Sequence, residues 1–261
     1  MLNWCSYCQQ FQGEIPPYDN LIITHGLCKL CAPKVDEFAE SDFLRAEALK
    51  RIQARLFEVG RRSDLKAAGA IIEEAGKANV REVDILFGII APTLYRIGED
   101  WKRGILTVKD EHRFTRFFEK VVELIAVKVK AANFVETTCA DRPAVLLINA
   151  PGNTHTLAVR MLELWLMNKG MRVLAAAVPP TPDELVAMVD KTRPDLVLIS
   201  MALAEQRAGV VALAQRILQM PKPSRPRVIV GGYAVKSGLV PTIPGAELMA
   251  DVNLLWGEVG A

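Results

Sequence analysis

The stretch VLLINAPGNTHTLA, residues 145–158, decides the fold of the second half of the chain. Its apolar run, residues 145–148, predicts a buried strand, and the Pro151-Gly152 pair predicts a turn. A helical pattern begins directly after His155. In an open α/β sheet, ligands bind beyond the carboxyl ends of the strands, so His155 lies where a ligand is expected. Its imidazole can be interpreted as a metal ligand, a general base, or a loop histidine without a ligand.

Strands and helical patterns alternate beyond residue 142. Apolar runs predict four strands and a weaker fifth, at residues 145–149, 172–178, 195–200, 227–231 and 247–250. Helical patterns separate them, at residues 155–169, 182–192 and 204–219. This alternation predicts an open, parallel, five-stranded α/β sheet over residues 143–261.

Residues 36–138 are predicted to be entirely helical. Four amphipathic patterns with short links predict a four-helix bundle, the first of them beginning at Phe43 and Leu44. Pro92 lies inside the third pattern and should kink it. The fourth begins with Thr107 as its N-cap candidate and runs to about Val135. The chain is therefore predicted to combine an α domain with an α/β domain.

Residues 1–35 contain four of the five cysteines, arranged as two Cys-x-x-Cys pairs with 19 residues between them: Cys5, Cys8, Cys28 and Cys31. This spacing fits a tetrahedral four-thiolate zinc site. The segment is too short to build its own core and needs such a cross-link. Unpaired buried cysteines and a redox dithiol are the alternatives, and disulfides are not expected without an export signal. The stretch THGLCKLC, residues 24–31, resembles zinc-binding segments attached to bacterial sensory proteins. His25 could replace one cysteine, but four thiolates already complete the shell.

Composition and charge limit the classes of function. The 261 residues suggest two domains, and 51% of them are hydrophobic, which is enough for sizeable cores. The net charge of +2 gives no basic surface for nucleic acid or an anionic membrane. No apolar run reaches the ~18 residues of a membrane span, and the N-terminus is no signal peptide. We therefore expect a soluble, cytoplasmic protein.

The stretch EDWKRGILTVKDEH, residues 99–112, brings a tryptophan at the end of one predicted helix near an acid–imidazole pair at the start of the next. From the residues alone, a core tryptophan beside a solvated Glu-His pair is the alternative. The stretch resembles the helical cap of cobalamin-binding sensory modules. In their light-sensing, adenosylcobalamin-binding members, nine residues separate a tryptophan from Glu-His, as they separate Trp101 from Glu111 and His112 here. The resemblance implies that these three residues cover the adenosyl group. Lys102 stands where some members have a cobalt-capturing histidine.

Three places in the second half resemble the cobalamin-binding Rossmann-like, or flavodoxin-like, domain. That fingerprint is Asp-x-His-x-x-Gly after the first strand, Ser-x-Leu after the third and Gly-Gly after the fourth. The corresponding residues here are Asn153, Thr154, His155, Thr156 and Ala158, then Ser200 and Ala202, then Gly231 and Gly232. The resemblance implies that His155 ligates cobalt from below, that Ser200 meets the displaced base, and that the glycines let the nucleotide tail approach the backbone. Asn153 replaces a carboxylate and would orient the imidazole through its carbonyl oxygen, which makes His155 a weaker donor.

The resemblance implies a function as a cobalamin sensor rather than an enzyme. Such a protein would bind adenosylcobalamin, respond to light and act in transcription regulation through a partner, either a regulator or a DNA-binding protein. No helix-turn-helix module and no methyltransferase or mutase barrel is visible in the sequence. The alternatives are a corrinoid carrier for methyl transfer and a cofactor-free interaction scaffold. A homo-oligomer stays open, whereas direct nucleic-acid binding and membrane association are not expected.

Overall fold

The computed structural model describes residues 1–18, 20–37, 45–133, 143–176 and 178–255. The chain divides into two compact units, Met1–Ala132 and Asn133–Ala261. The predicted helix start at Phe43 and Leu44 and the predicted helix end at Val135 lie outside the described residues. No helix in the described ranges is both long enough and apolar enough to cross a bilayer.

The first unit begins with a small three-stranded sheet. Its strands are β1 (Leu2–Cys5), β2 (Phe11–Glu14) and β3 (Ile23–Gly26), and β1 lies between the other two. Strand β1 is antiparallel to β2 and parallel to β3. A short 3₁₀ helix, Ala32–Glu37, follows. Strands of four residues are too short to show a clear alternation of polar and apolar residues, and the sequence did not predict them.

Four helical segments follow, as predicted, beginning with α1 (Arg45–Arg62) and α2 (Leu65–Lys77). The third is a continuous run made of α3 (Glu82–Ile85), a π turn (Leu86–Ile90) and α4 (Ala91–Lys102). The fourth is α5 (Val108–Asn133). Buried apolar side chains from these segments form the core of the unit, among them Leu49, Leu56, Ile71, Phe114 and Phe118.

A π turn precedes Pro92, the residue at which the sequence predicts a kink. Proline has no N–H to donate to the carbonyl four residues earlier, and its ring crowds that carbonyl. The turn before it widens, so that the N–H of Ala91 bonds to Leu86 O, five residues back. The helical run then continues through Pro92 to Lys102.

The second unit is a five-stranded, fully parallel sheet in the order β5-β4-β6-β7-β8. Its strands are β4 (Ala144–Asn149), β5 (Arg172–Ala176), β6 (Leu196–Ser200), β7 (Arg227–Gly231) and β8 (Glu247–Met249). Its helices are α6 (Thr156–Asn168), α7 (Pro182–Thr192), α8 (Arg207–Leu218) and the short α9 (Tyr233–Lys236). This confirms the predicted Rossmann-like sheet. The strand order reverses between β4 and β6, and that switch point is where doubly wound sheets bind ligands.

Candidate functional site

The predicted lower-ligand residues lie at the carboxyl edge of the sheet, around the switch point. Asn149 at the end of β4 is paired with Ser200 at the end of β6, and Ser200 is paired with Gly231 at the end of β7. The loop after β4 carries His155, which is the N-cap residue of α6 and is exposed. Thr154, Thr156 and Ala158 are exposed around it.

A buried amide network holds this loop. Asn153 is only 4% exposed. Its Nδ2 donates to Asn149 Oδ1 at 3.1 Å and to Ser200 O at 3.2 Å, and its Oδ1 accepts from the main-chain N–H of His155 at 3.1 Å. Asn149 Nδ2 donates in turn to His155 O at 3.3 Å. The main chain of His155 is therefore fixed on both sides, to β4 directly and to β6 through Asn153.

This network uses Asn153 differently from the sequence expectation. The amide oxygen binds the His155 main chain, and among the described hydrogen bonds none joins Asn153 to the imidazole. The amide nitrogen is used as well, on two oxygen acceptors that a carboxylate could not serve. Asn149 was not singled out from the sequence. Its only distinguishing feature in the sequence was that it is a polar residue at the end of an otherwise apolar strand. In the structure the Asn149 side chain is fully buried.

Gly231, the last residue of β7, and Gly232, which follows it, have little or no space for a side chain. Gly232 has φ +104°, and a Cβ there would lie 2.4 Å from Met201 O. A Cβ on Gly231 would lie 3.0 Å from Met249 O. The segment after β6 and the segment after β7 therefore cross in close contact at the edge where Ser200 and Gly231 end their strands.

Two further residues shape this edge, and no sequence pattern indicated either of them. Gln206 is buried, and its Oε1 accepts from the N–H groups of Ala202 and Leu203 at 2.9 and 3.1 Å. Gly209, near the start of α8, allows the Pro151 ring of the His155 loop to approach, because a Cβ there would lie 2.9 Å from Pro151 Cβ. The Gln206 contacts are local, whereas the contact of Gly209 with Pro151 joins segments that are distant in sequence.

In the first unit, the end of α4 and the start of α5 are built as the sequence predicts. Gly104 has φ +72° and ends α4, with the N–H of Ile105 bonded to Asp100 O and its own N–H to Trp101 O. This is the Schellman arrangement. Thr107 is confirmed as the N-cap, since its Oγ1 accepts from the N–H of Asp110 at 3.2 Å.

The side chains at this end of the helical unit form an exposed surface. Trp101 is 45% exposed, so the alternative of a core tryptophan is wrong. Ile105 and Val108 are exposed as well. Glu111 Oε1 accepts from Thr115 Oγ1 at 2.8 Å, and its Oε2 lies 3.6 Å from Nε2 of the exposed His112. An indole and two aliphatic side chains are thus exposed where α4 ends and α5 begins, and an acid–imidazole pair lies in the first turns of α5.

The four N-terminal cysteines converge. All their Sγ atoms lie within 4.8 Å of one another, and Cys8 Sγ is 3.9 Å from Cys28 Sγ. Four sulfurs about 2.3 Å from a tetrahedral zinc ion stand about 3.8 Å apart, so the cluster has the size of a zinc site. Each Cys-x-x-Cys turn is closed by a main-chain bond, from Gln9 N to Cys5 O and from Ala32 N to Cys28 O. None of the four is in a disulfide.

The protonation of these thiols also fits a cation. Burial raises the pKa of Cys8 far above its usual range, and the neighbouring Cys5 and Cys28 raise it further. Burial also opposes ionisation of Cys5, but main-chain N–H groups of Cys28, Cys8 and Tyr7 outweigh it and lower its pKa to about 7. Without a metal, Cys5 therefore ionises more readily than Cys8, whereas a divalent cation would hold all four as thiolates.

Comparisons with known proteins agree with the fold. A B12 binding domain model matches residues 143–238, and a second B12 binding domain model matches residues 52–126. An uncharacterized 20.5 kDa protein in the bchF-crtJ intergenic region of Rhodobacter capsulatus is 32% identical over 124 residues, which are 46% of this chain. The chain spans 62% of that relative's length, less than two thirds of it.

Among solved structures, the monomethylamine corrinoid protein of Methanosarcina barkeri is similar in fold. The TM-score is 0.66 at 15% identity, and the match covers 81% of this chain and 97% of the corrinoid protein. At this identity the similarity concerns the fold alone. One B12-binding match lies in each of the two units, and residues 52–238 therefore contain a cobalamin-binding module.

Proposed function

We propose that this chain is a sensor of adenosylcobalamin that responds to light and signals through a protein partner. The observation that carries the proposal is the exposed surface of Trp101, Glu111 and His112. A tryptophan that the unit does not bury in its own core is available to a ligand, and its indole matches the size of an adenine or a deoxyribose. Glu111 can accept hydrogen bonds from hydroxyl or amino groups, and His112 can donate or accept.

The lower ligand is proposed to be His155. Neutral imidazole is a common nitrogen ligand of transition metals, and this one is exposed at the switch point of the sheet. Asn149 and Asn153 hold its main chain rather than its ring, which leaves the ring nitrogens for a ligand and for solvent. Ser200 and the Gly231-Gly232 pair are proposed to line the path of the nucleotide tail. The His155→Ala variant should bind cobalamin more weakly, with a shifted visible spectrum, whereas Thr154→Ala at the neighbouring exposed position should resemble the parent.

The response is proposed to begin at the upper face. Bound adenosylcobalamin supplies a cobalt–carbon bond that light can break. With adenosylcobalamin bound, Glu111 and His112 would hydrogen-bond its adenosyl group, and the loss of those bonds would favour a rearrangement of the helical unit. Because Lys102 follows Trp101, His112 is the histidine of this surface that could bind the cofactor in place of that group. The rearranged unit would then bind or release a transcription regulator or another DNA-binding protein.

The test compares adenosylcobalamin with methylcobalamin. Parent protein, Trp101→Ala and Glu111→Ala are titrated with both forms, and absorption spectra and molecular size are recorded before and after green light. The parent should prefer adenosylcobalamin and change on illumination, and both variants should lose this preference. Val127→Ala, at an exposed position of α5 distant in sequence from this surface, is the matched control and should retain it.

A corrinoid carrier for methyl transfer is the second candidate. It is supported by the fold shared with the monomethylamine corrinoid protein of Methanosarcina barkeri. A carrier needs an upper face open to methyl donors and acceptors. Equal binding of both cobalamin forms by the parent, with no change of spectrum or size in light, would therefore favour the carrier over the sensor.

We also propose that the four cysteines bind one structural zinc ion. Their separations, their two closed turns and their burial support this assignment. Metal analysis should give about one zinc per chain. Cys28→Ser should lose it, whereas Cys139→Ser, which removes the remaining cysteine outside the cluster, should keep it. A chain that purifies under reducing conditions without metal and takes up none would refute the assignment.

A further inference from the structure

Trp4 connects the cysteine segment, residues 1–35, to the helical part of the first unit, residues 45–132. It lies on β1 directly before Cys5, and its side chain is fully buried. Its ring packs against Phe11 of β2, with ring centroids 5.3 Å apart, and against the π turn at Gly88. Its Nε1, also buried, has no hydrogen-bond partner within the described part of the chain. The indole is therefore held by packing rather than by a hydrogen bond.

The contact at Gly88 leaves no room for any other residue. A Cβ at this position would lie 2.1 Å from Cζ2 of Trp4 and 2.8 Å from its Cε2. Because the ring is fully buried, it cannot move aside at low cost. Gly88 is in the middle of the π turn, between the buried Leu86 and Ile90. The ring thus occupies the surface of the one widened turn in the helical run of residues 82–102.

The cysteine segment has little else to hold its shape. Its strands have four residues each, and around the metal site its buried cluster consists of cysteines. The remaining buried apolar side chains include Leu2, Trp4, Phe11 and Ile23. A sheet of this size is marginal without a cross-link or a partner surface. Losing the cross-link should therefore loosen β1, and with it Trp4.

We propose that metal binding at Cys5, Cys8, Cys28 and Cys31 controls the stability of the helical run that carries Trp101, through the seating of Trp4 against Gly88. The metal fixes the end of β1, β1 positions the indole, and the indole supports the π turn. This rests on the metal binding proposed above. The run extends from Glu82 to Lys102 without a break, so loosening at its π turn reaches the helix that presents Trp101. A metal ion thereby becomes an effector of the cobalamin-binding unit.

The test is amide hydrogen exchange on the full chain, with metal content measured on the same samples. Zinc-loaded protein is compared with protein stripped by a chelator under reducing conditions. If only the closed form binds zinc, free zinc about 100-fold above its dissociation constant lowers the population of the open form, and with it the exchange rate, about 100-fold. Stripping should therefore speed exchange in residues 1–31 and 86–90. The helix α7, in the other unit, is the internal reference and should not change.

Two variants distinguish the packing of Trp4 against Gly88 from metal binding. Gly88→Ala should keep its zinc but exchange at residues 86–90 as fast as the stripped parent, because the new methyl displaces the indole. Gly98→Ala is the matched control: it lies in the same helical run, and a Cβ there meets nothing within 4 Å. It should keep both zinc and protection. Cys28→Ser should reproduce the stripped parent even where Gly88→Ala proves too unstable to purify.

The outcomes distinguish the two proposals. Absence of bound zinc in the parent would overturn the metal assignment and this inference with it. Bound zinc whose removal leaves exchange at residues 86–90 unchanged would overturn this inference alone, and the metal site would stand as an independent local cross-link. Equal exchange in Gly88→Ala and Gly98→Ala would likewise overturn it.

Discussion

Asn153→Asp is a sharp test of how the loop before His155 is held. The two side chains have the same shape, and the substitution restores the carboxylate of the resembled fingerprint. The amide nitrogen of Asn153 donates to Asn149 Oδ1 and to Ser200 O, and a carboxylate can donate to neither. Two buried hydrogen bonds are lost, each contributing about 1 kcal/mol, and an ionised group is buried against two oxygens. We expect the free energy of unfolding to fall by about 2–3 kcal/mol at neutral pH.

The loss should depend on pH in a defined direction. Burial beside oxygen acceptors raises the pKa of the introduced carboxyl in the folded chain above its unfolded value of about 3.9. Between the two pKa values the folded state holds a proton that the unfolded state has released, so stability falls as pH rises through that window. Below it the carboxylic acid is neutral and donates one hydrogen bond again. The variant should therefore be closest to the parent near pH 4 and furthest from it at pH 7.

The assay is urea unfolding of parent and variant at matched pH values, with the difference between them taken at each pH. Asn153→Ala removes the same donors without a titrating group, and its loss should not vary with pH. Asn20→Asp is the matched control, because Asn20 uses only its oxygen, which accepts from the N–H of Ile22 at 3.0 Å. It should change stability by less than about 0.5 kcal/mol. An Asn153→Asp protein as stable as the parent at pH 7 would refute the role given to the amide nitrogen.

Three further substitutions test the geometry of the sheet edge and one helix start. Gly232→Ala combines φ +104° with a Cβ 2.4 Å from a main-chain oxygen, and urea unfolding should show a loss of about 3 kcal/mol or more. Gly209→Ala should push Pro151 and the His155 loop outward and weaken cobalamin binding in titrations, whereas Gly69→Ala, with open space around its Cβ, should not. Thr181→Ala removes the capping box of α7 and should cost about 1 kcal/mol in the same unfolding assay.

The architecture of the second unit could be predicted because its signals are local. Strand β4 is an apolar run that ends in Asn149, and its six residues are all buried. Helical patterns of ordinary length separate it from β6 and β7. The termini in the first unit were predictable for the same reason. Gly104 can adopt φ +72° and Thr107 can cap a helix whatever surrounds them.

The missed features depend on contacts between distant segments. Nothing near Gly88 in sequence indicates that Trp4 packs on it. From the sequence alone, a single glycine in a helical pattern indicates only a locally less stable helix. Likewise, the resembled fingerprint has a carboxylate where Asn153 stands here. Nothing in the sequence indicates that oxygens of Asn149 and Ser200 accept hydrogen bonds from the Asn153 amide. At Pro92 the sequence predicts a kink, but it does not predict the π turn that precedes this residue.

The choice of an amide at position 153 has a consequence for the proposed cobalt ligand. A carboxylate at this place could accept from the imidazole and strengthen its donation to a metal. Here the amide oxygen fixes the His155 main chain instead, and the amide nitrogen joins β4 to β6. The loop is therefore held at its main chain, and none of the described hydrogen bonds reaches the imidazole ring. A weaker lower ligand leaves more of the binding energy to the upper face, where Trp101, Glu111 and His112 would discriminate between upper ligands. Such a distribution of affinity would suit the proposed sensor of the upper ligand.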